Sequence, residues 1–88
     1  MATVQFDPIG KFLYTKDDMG NYHSYDDKPA IEYLDGSELK IWYKNGLIHR
    51  EFDTNNSYFS EYKYAIIYRN MNNNYYKKWY INGEEIKV

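Results

Sequence analysis

The sequence predicts an all-β protein, an antiparallel β-meander of successive hairpins. Three observations predict it. Short segments of alternating apolar and polar residues are separated by turn signals at roughly 8–12-residue spacing. Asn45-Gly46 and Asn82-Gly83 are two-residue hairpin signals, because both central positions of a type I′ turn need φ > 0. No apolar run of helical period extends over about ten residues. The expectation is about seven to nine short strands in an open or curled sheet. One short helical turn is expected inside residues 53–62, with Ser57 as its N-cap.

Taken in order, residues 2–6 alternate and end at Asp7-Pro8-Ile9-Gly10, a turn with Pro and Gly where a hairpin needs them. Lys11 to Thr15 returns as a strand. Asp17-Asp18-Met19-Gly20 is the next turn and Asn21 to Tyr25 the next strand. Pro29 to Arg50 is the organising stretch. A three-residue loop at Asp35–Ser37 pairs Ile31 with Ile41, Glu32 with Lys40 and Tyr33 with Leu39, keeping the apolar residues on one face. Asn45-Gly46 then pairs Lys44 with Leu47, Tyr43 with Ile48 and Trp42 with His49. Continued, it pairs Ile41 with Arg50 and Lys40 with Glu51, which places Lys40 between Glu32 and Glu51. The Tyr43 face reads as the apolar one. Lys63 to Arg69 is a strand, Asn70 to Asn74 a polar loop, Tyr75 to Ile81 a strand, and Glu84 to Val88 the last strand. The last turn pairs Trp79 with Ile86 and Lys77 with Val88, making the Trp face apolar there.

Eighty-eight residues form a single small domain with a thin stability margin. It divides into an N-terminal hairpin and degenerate repeat (1–28), repeat one (29–52), an insertion loop (53–62) and repeat two (63–88). Twelve tyrosines and two tryptophans supply the bulk, with Tyr33, Tyr43, Tyr68 and Tyr80 expected to line the core. There is no cysteine, hence no disulfide framework or thiolate metal site. With no signal-like start and no long apolar run, a cytoplasmic location is expected, without membrane association. The net charge of −2, with acids and bases interspersed, does not suit a nucleic-acid footprint.

The chain repeats itself. Ala30-Ile31-x-Tyr33 and Trp42-Tyr43-x-Asn45-Gly46 recur as Ala65-Ile66-Ile67-Tyr68 and Trp79-Tyr80-x-Asn82-Gly83, and His23 to Ala30 reads as the tail of an earlier copy. These residues, with Pro29, His49, Arg50 and Glu51, resemble the MORN-like repeats of tailed phages and giant viruses. The resemblance covers about 60 of the 88 residues. Lys28 stands where that family has Gly, the insertion replaces its Asp-Gly-Pro link, and Glu84-Glu85-Ile86 lacks its His-Arg. The resemblance implies an elongated meander with a hairpin per repeat, acting as a scaffold or protein-binding module, and implies no activity.

Residue chemistry points the same way. The two histidines, His23 and His49, lie in no metal-ligand cluster, so no metal and no cofactor is expected. The acid pairs Asp17/Asp18, Asp26/Asp27 and Glu84/Glu85 sit in or beside turns, and no nucleophile motif, phosphate loop or dinucleotide fingerprint is present, so no enzyme is expected. Tyr58, Phe59, Tyr62 and Tyr64 cluster in or beside an insertion that the repeats do not need, and aromatic loops of this kind build interface hot spots. They are the candidate partner-binding residues. The expected function is a non-enzymatic binding module, a small viral protein that engages a host or viral protein as an inhibitor of a host enzyme or defence system. The alternatives are a self-associating structural or virion accessory repeat, acting as a homodimer, and an acidic nucleic-acid mimic or nucleic-acid-facing protein. Base stacking on the aromatic residues would need a basic groove that the interleaved acids deny.

Overall fold

A computed structural model describes residues 5–6, 11–51 and 63–86. Among them the fold is all-β and antiparallel, with nine strands and no helix. The strands are β1 Gln5–Phe6, β2 Phe12–Tyr14, β3 Ile31–Tyr33, β4 Lys40–Ile41, β5 Tyr43–Lys44, β6 Leu47–Ile48, β7 Ile66–Arg69, β8 Tyr75–Ile81 and β9 Glu84–Ile86. The main sheet runs β1-β2-β3-β4-β7-β8-β9, and β5-β6 forms a separate hairpin that leaves the meander between β4 and β7. The expected helical turn, the Asp7–Gly10 turn and the Lys77–Val88 pair fall wholly or partly outside the described residues.

The turn chemistry and the buried face set the register. Ile31 pairs with Ile41, Glu32 with Lys40, and the Tyr33 N–H donates to the Leu39 carbonyl, all as the alternation requires. Asp35 Oδ1 accepts the Ser37 N–H, and Glu38 takes φ 52° to close this turn. Tyr43 pairs with Ile48 and Lys44 with Leu47, while Trp79 pairs with Ile86. Asn45-Gly46 and Asn82-Gly83 all have positive φ, as a type I′ turn demands.

Several pairings and strand bounds need correction. Ile41 and Lys40 do not continue the hairpin to Arg50 and Glu51; they pair with Ile66 and Ile67 of β7. The chain changes partner at Trp42, whose N–H donates to the Ala65 carbonyl while its own carbonyl accepts the His49 N–H. Glu51 lies by Lys44 instead, so the Glu32–Lys40–Glu51 triad does not form. Asn21–Tyr25 is not a strand: it makes one bridge, Lys16 with Tyr22, and its backbone bonds divide between Thr15 and Asp17 on one side and the β5-β6 hairpin, through the Ser24 N–H and the Tyr22 carbonyl, on the other. The strand expected from Lys63 starts at Ile66.

The core is small and is not the tyrosine set. Ala30, Ile31, Trp42, Ala65 and His49 are buried, whereas Tyr33, Tyr43, Tyr68 and Tyr80 are half-buried. The Trp face is therefore the buried one in the central stretch, while Trp79 and Ile86 of the last hairpin are half-buried. The half-buried rings associate with one another. Tyr33, Phe12, Tyr14, Tyr22 and Tyr43 form a continuous run with centroid separations of 5.0–6.2 Å, and Tyr68 stacks on Tyr76 at 4.9 Å. Such pairs contribute about 0.5–1.5 kcal/mol each beyond their burial.

The sequence repeat is also a repeat of hydrogen bonds. The Asn45 N–H donates to His23 Nδ1 and the Gly46 N–H to the Tyr22 carbonyl. One copy later, the Asn82 N–H donates to His49 Nδ1 and the Gly83 N–H to the Ile48 carbonyl. The Ser24 N–H donates to the Tyr43 carbonyl as the Arg50 N–H does to Tyr80. Thr15 N–H to Ala30 is matched by Trp42 N–H to Ala65. Each Asn-Gly hairpin thus docks on the segment after the preceding turn, and an imidazole closes each junction.

Candidate functional site

The repeat junction opens a cleft of about 510 Å³. It is built from the segment after the first turn (His23, Ser24, Asp27), the β5-β6 hairpin with its flanks, and Lys63 at the approach to β7. Its floor is Trp42, 5% exposed, whose indole N–H donates to the Asp27 carbonyl at 2.9 Å. The Arg50 guanidinium lies 3.9 Å from the Trp42 ring, a cation–π contact.

Asp27 is the hub. Its carboxylate accepts Arg50 Nε at 3.0 Å and Nη2 at 3.1 Å, a bidentate pair, and meets Lys63 Nζ at 2.6 Å. The third guanidinium nitrogen, Arg50 Nη1, donates to the Tyr64 carbonyl at 3.1 Å. These bonds, Arg50's before Lys63's, hold the Asp27 carboxyl below its ordinary range despite the opposing effect of burial. Asp26 and Asp27 carry φ 55° and 59°, a left-handed pair. That conformation is uncommon for residues with a Cβ, and the bonds made by Asp27 stabilise it here.

The two imidazoles are fixed in one tautomer. Because His23 Nδ1 and His49 Nδ1 each accept a backbone N–H, each neutral ring carries its proton on Nε2. His49 is 7% exposed, and its Nε2, closed off from solvent, has no hydrogen-bond partner among the described residues. Glu51 Oε1 lies 3.7 Å away, beyond hydrogen-bond length. Burial above all, and then Lys44, push the His49 pKa down, against the smaller pull of Glu51. Neither ring has a free lone pair, so neither serves as a general base in this arrangement. Ser24 Oγ accepts the Tyr43 N–H at 3.0 Å and is not bonded to His23.

The motif residues expected from the sequence divide between cleft and scaffold. Trp42, Tyr43 and His49 line the cleft, whereas Asn45, Gly46, Asn82 and Gly83 make the turns. Trp79 and Tyr80 lie in β8 and do not line it, although the Tyr80 carbonyl accepts the N–H of the lining residue Arg50. Of the expected partner-binding set, Tyr58, Phe59 and Tyr62 lie outside the described residues. Tyr64 stacks on Trp79 at 4.9 Å with Lys77 Nζ 5.6 Å from its ring, and touches the cleft only through its carbonyl. Sequence reading missed Asp27, Lys63 and Ser24. His23 was legible as the repeat equivalent of His49, a signal present in the His-to-Ala tail. Among the described residues there is no group of three His, Cys, Asp or Glu side chains that could hold a metal ion. Nor is any helix there long and apolar enough to cross a membrane. No protein-family model, curated protein or solved structure matches the chain.

Proposed function

We propose that the protein is a non-enzymatic binding module that engages another protein through the repeat-junction cleft. The observation that carries this reading is the cleft's lining. Trp, Tyr and Arg, the residues that dominate interface hot spots, line it; Asp27 holds Trp42 and Arg50, Ser24 holds the Tyr43 backbone, and both imidazole lone pairs are committed to backbone. A preorganised floor loses little entropy on binding, which suits recognition. The resemblance to viral MORN-like repeats supports a host or viral protein as partner, with inhibition of a host enzyme or defence system as the biological form.

The test is affinity capture from host lysate with the wild type beside two variants, Lys63→Ala at the cleft rim and the triple Tyr58/Phe59/Tyr62 alanine variant. One stoichiometric partner, lost with Lys63→Ala, is the expected result. Loss only with the triple variant would move the contact to the insertion. Recovery of the protein alone would favour self-association. The observation behind that second reading is the set of exposed apolar residues Leu34, Met71, Tyr75 and Tyr76.

A further inference from the structure

Glu51 sits on the cleft rim with its side chain 78% exposed. Its carboxylate lies 3.5 Å from Lys44 Nζ and 3.7 Å from His49 Nε2. Both contacts are looser than a charge-assisted hydrogen bond, which closes at roughly 2.7–2.9 Å. His49 Nε2–H is a buried donor whose direction is set by the bond at Nδ1, and it has no acceptor among the described residues. Such a group is unfavourable to leave unpaired. Asp27 is committed to Arg50 and Lys63, so Lys44 and His49 are the donors of the lining that remain loosely met.

We propose that Lys44 Nζ and His49 Nε2–H form a seat for a carboxylate from an acidic side chain of a partner protein, with Glu51 as the intramolecular stand-in that the partner displaces. This rests on the binding-module reading and names the partner's chemistry. Among the described residues the lining carries three cations, Lys44, Arg50 and Lys63, against the two carboxylates Asp27 and Glu51. With Glu51 swung out, the local charge favours an incoming anion. A singly charged group matches the two available donors; a phosphate dianion would need more, and Arg50 is engaged. Displacing Glu51 is easy because its side chain is mostly in water and exposed ion pairs are weak.

The test is a titration of isotope-labelled protein with a blocked tri-glutamate peptide, with tri-glutamine as control, read at the His49 Nε2–H and Lys44 ammonium resonances. Tri-glutamate should move both and tri-glutamine neither. Glu51→Gln, which removes the competitor, should tighten binding about two- to fivefold, and Lys44→Ala should weaken it by a similar factor. Both changes are at exposed side chains and leave the fold intact. An equal response to tri-glutamine, or affinities unchanged in both variants, would overturn the seat. If the seat fails while Lys63→Ala still abolishes capture of a partner, the binding-module reading survives. If tri-glutamate binds as expected but no partner is captured, that reading fails and the seat stands.

Discussion

Asp27 shows what a single residue does here that its neighbourhood in the sequence conceals. In Asp26-Asp27-Lys28-Pro29 it reads as an ordinary turn acid. In the fold its carbonyl holds the Trp42 indole, and its carboxylate holds Arg50, whose side chain is only 12% exposed. No local pattern encodes contacts reaching 15, 23 and 36 residues along the chain. Asp27→Asn would leave a half-buried guanidinium short of its counter-charge and should cost about 1–2 kcal/mol, seen in urea unfolding as a lower midpoint. The histidines make a second prediction. Nδ1 of His49 must be unprotonated to accept the Asn82 N–H. Its pKa lies below the ordinary value near 6.5, so on acidification the unfolded chain takes up the proton first. Stability is therefore full above about pH 6.5 and falls as the pH drops toward the lower native value. Unfolding midpoints measured from pH 7.5 to pH 5 should show this slope, and His49→Gln should flatten it.

At the scale of elements, the sequence was most informative where a local rule decides the geometry. The Asn-Gly turns, the β3-β4 register and the Tyr75–Ile81 strand follow from turn chemistry and alternation. The rule failed at Trp42, because a two-residue turn fixes only the pairs next to it. Beyond Tyr43 a different strand competes for the same backbone, and β7 wins by pairing Ile66 and Ile67 with Ile41 and Lys40. Burial was misjudged for the same reason. Trp42 falls on the face that alternation marks as polar, but Arg50 and the Asp27 carbonyl cover it. The turns themselves are testable. Gly83 has φ +85°, and a Cβ there would meet Leu47 Cδ2 at 3.5 Å. Gly83→Ala should cost about 1–2 kcal/mol, mostly from backbone strain, and calorimetry should show the lowered transition temperature.

At the scale of the whole molecule, the Asp17–Gly20 turn differs from the two Asn-Gly turns that follow it. Asp17 Oδ1 accepts the N–H groups of Met19 and Asn21, so this turn satisfies itself where the later ones use an imidazole. The formal net charge of −2 opposes association of copies. Sedimentation at neutral pH and low salt should therefore give a monomer mass, and a concentration-dependent rise would favour the self-associating reading. The repeat and the cleft both depend on histidine Nδ1 closing each junction. The most direct measurement is long-range nitrogen–proton correlation spectroscopy of the two imidazoles at pH 7.5. Both rings should be neutral with the proton on Nε2 and an accepting Nδ1, and the amide protons of Asn45 and Asn82 should couple to that nitrogen. A proton on Nδ1 of either ring would contradict the junction.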